Sequence, residues 1–465
     1  MTCSVEPAGA GLVCRIRTDE GEVVTGRSAS AAGGRRPAGS RADSAADSPA
    51  DSPARSPARS MLDALAAHVA HRLARAAQRG VECELCVPAA SCRDTSLIGA
   101  VHELVHRTAR ELRERRLARE LETSPVRARV AEIAGGVRDD IERFMEIPVN
   151  ALLGATRRTL IEARARHFQR RVQLFAPLYL SSACQSDCAY CGFRRSARFR
   201  RRRLTRDEAL DEARALAERG HRTVDLVTGE VPTDRFVDYV CEVVREILVR
   251  TPIRRIHLNL GALEPGQFRR LLGAGALGYH LYQETYDRDV YRRVHRAGPK
   301  RDMARRLEAP HVAAAAGFEV LGLGALLGLG PLHEDLASLV AHAVVLKQDH
   351  PGLQVGFSLP RVREVDAGCE YRPGRGVSDE RFVKACVYLE LTFPDAHLTV
   401  TTRESPRMRD ELLRLGASRL SADVSTAPGG YRRLAGGARQ FAIRDERSVA
   451  EMRAAIESAG AVVAF

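Results

Sequence analysis

Cys184, Cys188 and Cys191 stand in the order Cys-x3-Cys-x2-Cys, after a hydrophobic run and before an arginine-rich one. Three thiolates at this spacing can each hold one iron of a [4Fe–4S] cluster and leave the fourth iron open, whereas a structural cluster is closed by four ligands. An open iron is a place to bind and reduce a molecule, which is enzyme chemistry. Two blander readings are a zinc site whose fourth ligand lies elsewhere and three unrelated buried cysteines. Zinc sites usually pair a second Cys or His doublet at similar spacing, and none follows nearby. Tyr190, between the second and third cysteines, can lay its ring beside a bound adenine or simply pack the loop. A second set, Cys83, Cys86 and Cys92 with His102 and His106, is open to two readings: zinc or a further cluster, or incidental free thiols.

The main triplet needs a scaffold, and the pattern from residue 172 onward supplies one. Apolar runs at Gln173–Leu180, Thr223–Thr228, Arg255–Gly261, Tyr279–Gln283, Phe318–Leu323, Leu353–Leu359, His397–Thr402 and Arg419–Val424 read as strands. Helical stretches such as Arg206–Arg219, Asp234–Arg250 and Pro265–Leu272 lie between them. Eight short strands with a helix in most intervals predict a TIM-type (β/α)8 barrel. Such barrels carry their chemistry on loops at the C-terminal ends of strands, and the triplet directly follows the first strand.

The chain of 465 residues is long enough for one barrel-sized domain plus extensions. Its net charge of +13 comes from arginine, with lysine only at 300, 347 and 384. A basic surface can steer an acidic partner, but no recognition motif accompanies it, so nucleic acid is not an expected partner. No apolar run reaches the roughly 18 residues that span a bilayer, and the N-terminus lacks the apolar middle of a signal peptide; the expected location is the cytoplasm, with no membrane partner. Eleven cysteines, an odd number, suit metal or redox chemistry better than a disulfide framework. Residues 1–60 read as a disordered low-complexity tail, 61–170 as a helical extension, 171–430 as the barrel and 431–465 as a C-terminal segment packing on it. Within the extension, turns are expected near Gly80 to Ser91 and at Ser124-Pro125, and Met61 is an alternative start.

With its aromatic residue before the last cysteine, the triplet resembles the radical S-adenosylmethionine (SAM) superfamily. The run Phe175 to Leu180 leading to Cys184, Tyr190, Cys191, Gly192 and Phe193 looks like its tyrosine lyases, the 2-iminoacetate synthase of thiamine biosynthesis and the maturase of [FeFe]-hydrogenase. Similar to the same group are Leu226-Val-Thr-Gly-Glu230, Tyr282-Gln-Glu-Thr-Tyr286, Gly322-Leu-Gly-Ala-Leu-Leu-Gly328, Ser358-Leu-Pro-Arg361, Thr402-Arg-Glu-Ser405 and Gly429-Gly430-Tyr431. The resemblance covers residues from about 165 to the end. It implies that the methionyl group of SAM chelates the open iron and that Thr228, Gly229 and Glu230 receive its ammonium. Gln283 and Glu284 would bond its ribose or methionyl group. Gly324, with Gly322 and Gly328, would let cofactor approach the fifth strand, or would serve tight barrel packing. Ser358 and Arg361, with Arg403 as a second candidate, would anchor an amino-acid carboxylate, a task suited to an arginine fork. The run Arg194–Arg206 holds eight arginines in thirteen residues; it is a solvated helix entrance or a dock for an acidic flavodoxin- or ferredoxin-type electron donor.

The chain also departs from the group. It has no cysteine after Cys386, where the maturase carries a second cluster, and Asp287 follows Tyr286 where both relatives commonly have histidine. The segment Arg254-Arg-Ile-His-Leu-Asn-Leu260 nonetheless looks more like the maturase. The expected reaction is cleavage of the Cα–Cβ bond of L-tyrosine, without production of CO and cyanide. The rivals are a lyase for another aromatic amino acid such as tryptophan, and a non-catalytic iron–sulfur scaffold serving a thiazole synthase or hydrogenase-maturation partner.

Overall fold

Alternating short strands open the chain: β1 (Thr2–Ala8), β2 (Gly11–Arg17), β3 (Glu22–Val24) and β4 (Val81–Val87) form one sheet in the order β1-β2-β4-β3. The computed structural model describes residues 2–8, 11–17, 22–24, 81–87, 124–363, 376–432 and 439–464. The chain divides into two units, Met1–Glu120 and Leu121–Phe465. The sheet corrects two expectations. Residues 2–24 contain strands within the stretch expected as a low-complexity tail, and β2 carries a short apolar alternation at 12–16 that the Ala/Ser/Pro repeats at 46–53 lack. Strand β4 lies where turns were expected and carries Cys83 and Cys86; Cys92, His102 and His106 fall outside the described residues.

The second unit begins with two helices, α1 (Pro125–Glu146) and α2 (Val149–Phe168). The Ser124-Pro125 pair is a helix start: Ser124 Oγ accepts the Arg127 N–H at 3.2 Å and Pro125 occupies the first turn, where its missing N–H is not needed. The barrel follows as β5 (Arg171–Ser181), β6 (Thr223–Thr228), β7 (Arg255–Asn259), β8 (Gly278–His280), β9 (Val320–Gly324), β10 (Gln354–Ser358), β11 (His397–Val400) and β12 (Arg419–Ser421). Every neighbour pair is parallel, and β12 closes onto β5 with Gln173, Leu174 and Phe175 opposite Arg419, Leu420 and Ser421. The eight predicted strands are therefore the eight barrel strands. Several end earlier than expected, since the backbone beyond them leaves the ladder to line the top of the barrel.

Helices α3 (Arg206–Glu218), α4 (Asp234–Arg250), α5 (Pro265–Gly273), α6 (Arg288–Val294), α7 (Met303–Ala315), α8 (Leu332–Asp349), α9 (Asp379–Thr392) and α10 (Pro406–Leu415) fill the connections. Buried apolar positions such as Phe236, Val240, Val243, Val244 and Ile247 on α4 recur at helical spacing and join the common core. After the barrel, α11 (Val449–Ser458) leads to β13 (Val462–Ala464), which pairs with Arg171 to Gln173 at the start of β5. Among the described residues no helix is long and apolar enough to cross a membrane.

Candidate active site

The loop after β5 is held from both sides by backbone bonds. Asp187 N–H donates to Ala297 O at 2.8 Å, Ala189 N–H to Val294 O at 2.8 Å, and Gln185 N–H to Glu230 O at 3.0 Å. Gly298 sits at φ 87°, and a Cβ there would lie 2.2 Å from Gln185 O, so the close approach of this strap requires glycine. Arg201 holds the far end of the loop: its Nη1 donates to Ser182 O at 2.7 Å and Phe193 O at 3.0 Å, its Nη2 to Arg194 O at 2.6 Å and Arg195 O at 3.1 Å.

Within this loop, backbone N–H groups point at sulfur. Ser186 and Glu230 donate to Cys184 Sγ at 3.4 and 3.3 Å, and Phe193 donates to Cys191 Sγ at 3.4 Å. Burial pushes the Cys184 thiol up to about 11 and raises Cys188 and Cys191 as well. The donors oppose that shift at Cys184 and Cys191, and they favour an anionic sulfur, the form that binds metal. The three cysteines line one cavity at the C-terminal end of the barrel. No three His, Cys, Asp or Glu among the described residues are arranged around a single ion; a cluster asks each thiolate to reach a different iron instead. The donor set thus fits an iron–sulfur cluster.

Beside the cysteines lies a buried quartet of charges. Glu230 Oε1 accepts Arg306 Nη1 at 3.0 Å, and its Oε2 accepts Ser186 Oγ at 3.1 Å. Lys300 Nζ donates to Glu284 Oε1 at 2.5 Å, while Arg306 Nε donates to Tyr282 O at 2.8 Å. Burial works against the charge on Glu284, yet Lys300 and Arg306 outweigh it and hold that carboxyl below its ordinary range. Glu284 also adopts φ 73°, a left-handed conformation that costs a non-glycine residue on the order of 1–3 kcal/mol and clusters at functional sites. Thr228, Gly229, Glu230 and Glu284 all line the cavity. A Cβ on Gly229 would lie 2.1 Å from Ala183 O, so this glycine lets the cysteine loop pass. Tyr190 lines the cavity too, with its hydroxyl 2.8 Å from His295 Nε2 and its ring centroid 5.7 Å from Lys300 Nζ.

Two cofactor expectations are corrected. Gln283 is buried but does not line the cavity, whereas its neighbours Tyr282 and Glu284 do. Gly324 also lies off it: a Cβ there would meet Ser358 O at 2.4 Å and the Tyr282 ring at 2.7 Å, so the glycine serves packing inside the barrel.

The opposite wall carries the candidate substrate anchors. Ser358 lines the cavity, buried beside Tyr282. Arg361 is a correction. Its guanidinium turns away from the cavity into a buried pair with Glu404, and also reaches Asp379 Oδ1 at 2.7 Å and Val377 O at 3.0 Å. Arg363, two residues on, lines the cavity in its place and donates to Glu404 at 2.8 Å. Arg403 lines the cavity as well, lies 3.4 Å from the Phe441 ring centroid, and makes no hydrogen bond or ion pair among the described residues. Burial lowers its pKa, against the pull of Tyr179, Glu284 and Cys191.

Sequence reasoning missed Lys300, Arg306, Arg363, Gln440 and Phe441. Only Lys300 carried a signal: a lysine kept in a chain that otherwise uses arginine. Gln440 and Phe441 come from the segment between β12 and α11, far in sequence from the cysteines they approach.

A parallel barrel bearing this cysteine loop defines a class of radical enzyme, and comparison with known proteins agrees. Residues 178–343 match the radical SAM superfamily, and residues 358–462 match the biotin and thiamin synthesis associated domain. The chain is 31% identical over 324 residues to the 2-iminoacetate synthase of Escherichia coli (strain K12), covering 70% of this chain and 85% of that one. Among solved structures it is similar to HydG, a maturase of the [FeFe]-hydrogenase, with a TM-score of 0.66 at 28% identity over 76% of this chain and 80% of that one. HydG from Carboxydothermus hydrogenoformans gives a TM-score of 0.64 at 32% identity, over 75% and 85% of the two chains. The chain belongs to the radical SAM aromatic amino-acid lyase family of 2-iminoacetate synthase and HydG, and it is a radical SAM enzyme. Membership implies an iron–sulfur cluster and SAM.

Proposed function

We propose that this enzyme cleaves the Cα–Cβ bond of L-tyrosine to 2-iminoacetate and p-cresol. Arg403 carries the reading: a half-buried guanidinium without a hydrogen-bond partner among the described residues shares a cavity with Cys184, Cys188 and Cys191. Cys184, Cys188 and Cys191 would hold a [4Fe–4S] cluster, which with bound SAM supplies a 5′-deoxyadenosyl radical, leaving methionine. Thr228, Gly229, Glu230, Glu284 and Tyr190 form the SAM side of the cavity. Arg403 and Arg363 form the substrate side and would hold the amino-acid carboxylate, with the Ser358 hydroxyl beside them. Buried Phe175, Tyr179, Phe193 and Val227 limit access of water. Orientation and exclusion of water are what the protein contributes; the radical chemistry is the cofactor's.

The reaction balances when the tyrosine amine gives one hydrogen atom to form 5′-deoxyadenosine, Cα–Cβ breaks, and the hydroxybenzyl fragment takes an electron and a proton to become p-cresol. Electrons would come from a flavodoxin- or ferredoxin-type donor docking near the exposed Arg195, Arg198, Arg200 and Arg203, close in sequence to Cys191. The imino acid would pass to a thiazole-forming partner, in keeping with the 2-iminoacetate synthases it resembles. Reconstituted protein with SAM, dithionite and each aromatic amino acid tests the reading. Deoxyadenosine with p-cresol from tyrosine is expected. Turnover of tryptophan alone would reassign the substrate, and no deoxyadenosine with any of them would overturn the lyase reading.

A further inference from the structure

Gln440 is tied at every polar atom. Its backbone N–H donates to Thr426 O at 3.0 Å, and its backbone carbonyl accepts the Gly192 N–H, next to Cys191, at 3.2 Å. Its side-chain Oε1 accepts the hydroxyl of Tyr179 at 2.7 Å. That bond leaves the amide nitrogen to face Cys191, and Nε2 stands 3.9 Å from Sγ. The orientation is chemically forced. A metal-bound thiolate can only accept, so the NH2 end must face it, and the phenol supplies the donor that fixes the other end. Tyr179 is itself immobilised, buried near the end of β5 with its ring edge-on to Phe193 at 5.8 Å.

We propose that Gln440 is a positioning residue for Cys191: its clamped amide donates to the cluster-ligating sulfur and raises the reduction potential of the cluster. Hydrogen bonds to the sulfurs are among the main determinants of such potentials. Reduction adds negative charge to the cluster, and a donor aimed at sulfur stabilises the reduced form more than the oxidised one. Among the described residues, Cys184 receives two backbone donors, whereas Cys191 receives one backbone donor and this side chain. Gln440 is thus the side-chain donor in the set, contributed by a segment beyond the last barrel strand. The inference rests on the triplet holding a cluster, and not on the identity of the amino-acid substrate.

The test is an anaerobic redox titration of reconstituted full-length protein, with the reduced cluster followed by electron paramagnetic resonance. In Gln440→Leu, which keeps much of the volume and removes the donor, the midpoint is expected to become more negative. The expected size is about a tenfold fall in the reduced-to-oxidised ratio at the wild-type midpoint, ~59 mV for one electron. Tyr179→Phe, which releases the clamp, should move it the same way by less. If Gln440→Leu does not retain iron, Gln440→Glu replaces it, keeping an acceptor for Tyr179 while putting a carboxylate where the donor was; the shift is again expected to be negative. A midpoint unchanged from wild type in an iron-replete variant overturns the proposal. A shifted midpoint in a protein that leaves tyrosine intact would retain this inference and remove the tyrosine reading.

Discussion

Arg361 and Glu404 face each other as a fork: Nε donates to Oε1 at 3.1 Å, Nη2 donates to Oε2, and both side chains are buried. Arg363 adds a second cation to the same carboxylate. Breaking a buried pair by removing one partner leaves an uncompensated charge and costs about 3–5 kcal/mol. Glu404→Ala is therefore expected to lose stability of that order in urea denaturation. A conservative Glu404→Gln should lose less, because one acceptor oxygen remains. An Arg361→Lys enzyme that stays folded should keep its KM for the amino-acid substrate, since Arg361 does not face the cavity.

Arg403 has the opposite character. Among the described residues it has no hydrogen-bonded or ion-paired partner to strand and only the Phe441 ring stacked on it, so Arg403→Met should fold with nearly wild-type stability. Losing a charge-assisted bond to the substrate carboxylate, worth about 1.5–3 kcal/mol, should lower kcat/KM by about 10- to 100-fold. Steady-state kinetics with L-tyrosine checks this, and an unchanged kcat/KM would exclude Arg403 as the anchor.

Arg201 predicts a loading defect. Its two terminal nitrogens hold the carbonyls of Ser182, Phe193, Arg194 and Arg195 around the cysteine loop. Arg201→Met removes those bonds while keeping the aliphatic stem, so reconstituted iron per chain should fall. Arg201→Lys should recover only part of it, because a single ammonium cannot span the fork. Iron analysis and cluster absorbance give the readout.

Asp335 makes stability depend on pH. Burial raises its carboxyl from the ordinary 3.8 to about 7, despite hydrogen bonds from Tyr286 N–H and Thr285 Oγ. The folded chain therefore binds more protons than the unfolded one between about pH 4 and pH 7. Its contribution to stability falls as pH rises across that window and is flat above it. Asp335→Asn, which keeps an acceptor for both donors, should flatten that part of the profile in denaturation curves taken from pH 4 to 8.

The barrel was readable along the chain because its strands are buried on both faces and appear as uninterrupted apolar runs separated by helical periods. The triplet was readable for a related reason: three ligands within eight residues need only one loop to bring them together. Glu230 and Glu284 both line the cavity because a strand end in a barrel points to one rim. The charges surrounding them were not legible, since Lys300 and Arg306 come from the turn and helix that follow α6 and not from a strand end.

Local pattern thus decided the architecture, the cysteine loop and the rim on which chemistry occurs. Which arginine remains available in the cavity was decided in three dimensions. Arg361 and Arg403 look alike in sequence, but Glu404 neutralises one and Phe441 merely stacks on the other. The same holds for Gln440, which meets Cys191 across 249 residues of chain. Such pairings follow from the closure of the barrel and the return of the C-terminal segment over its rim, long-range geometry that no spacing of residue types encodes.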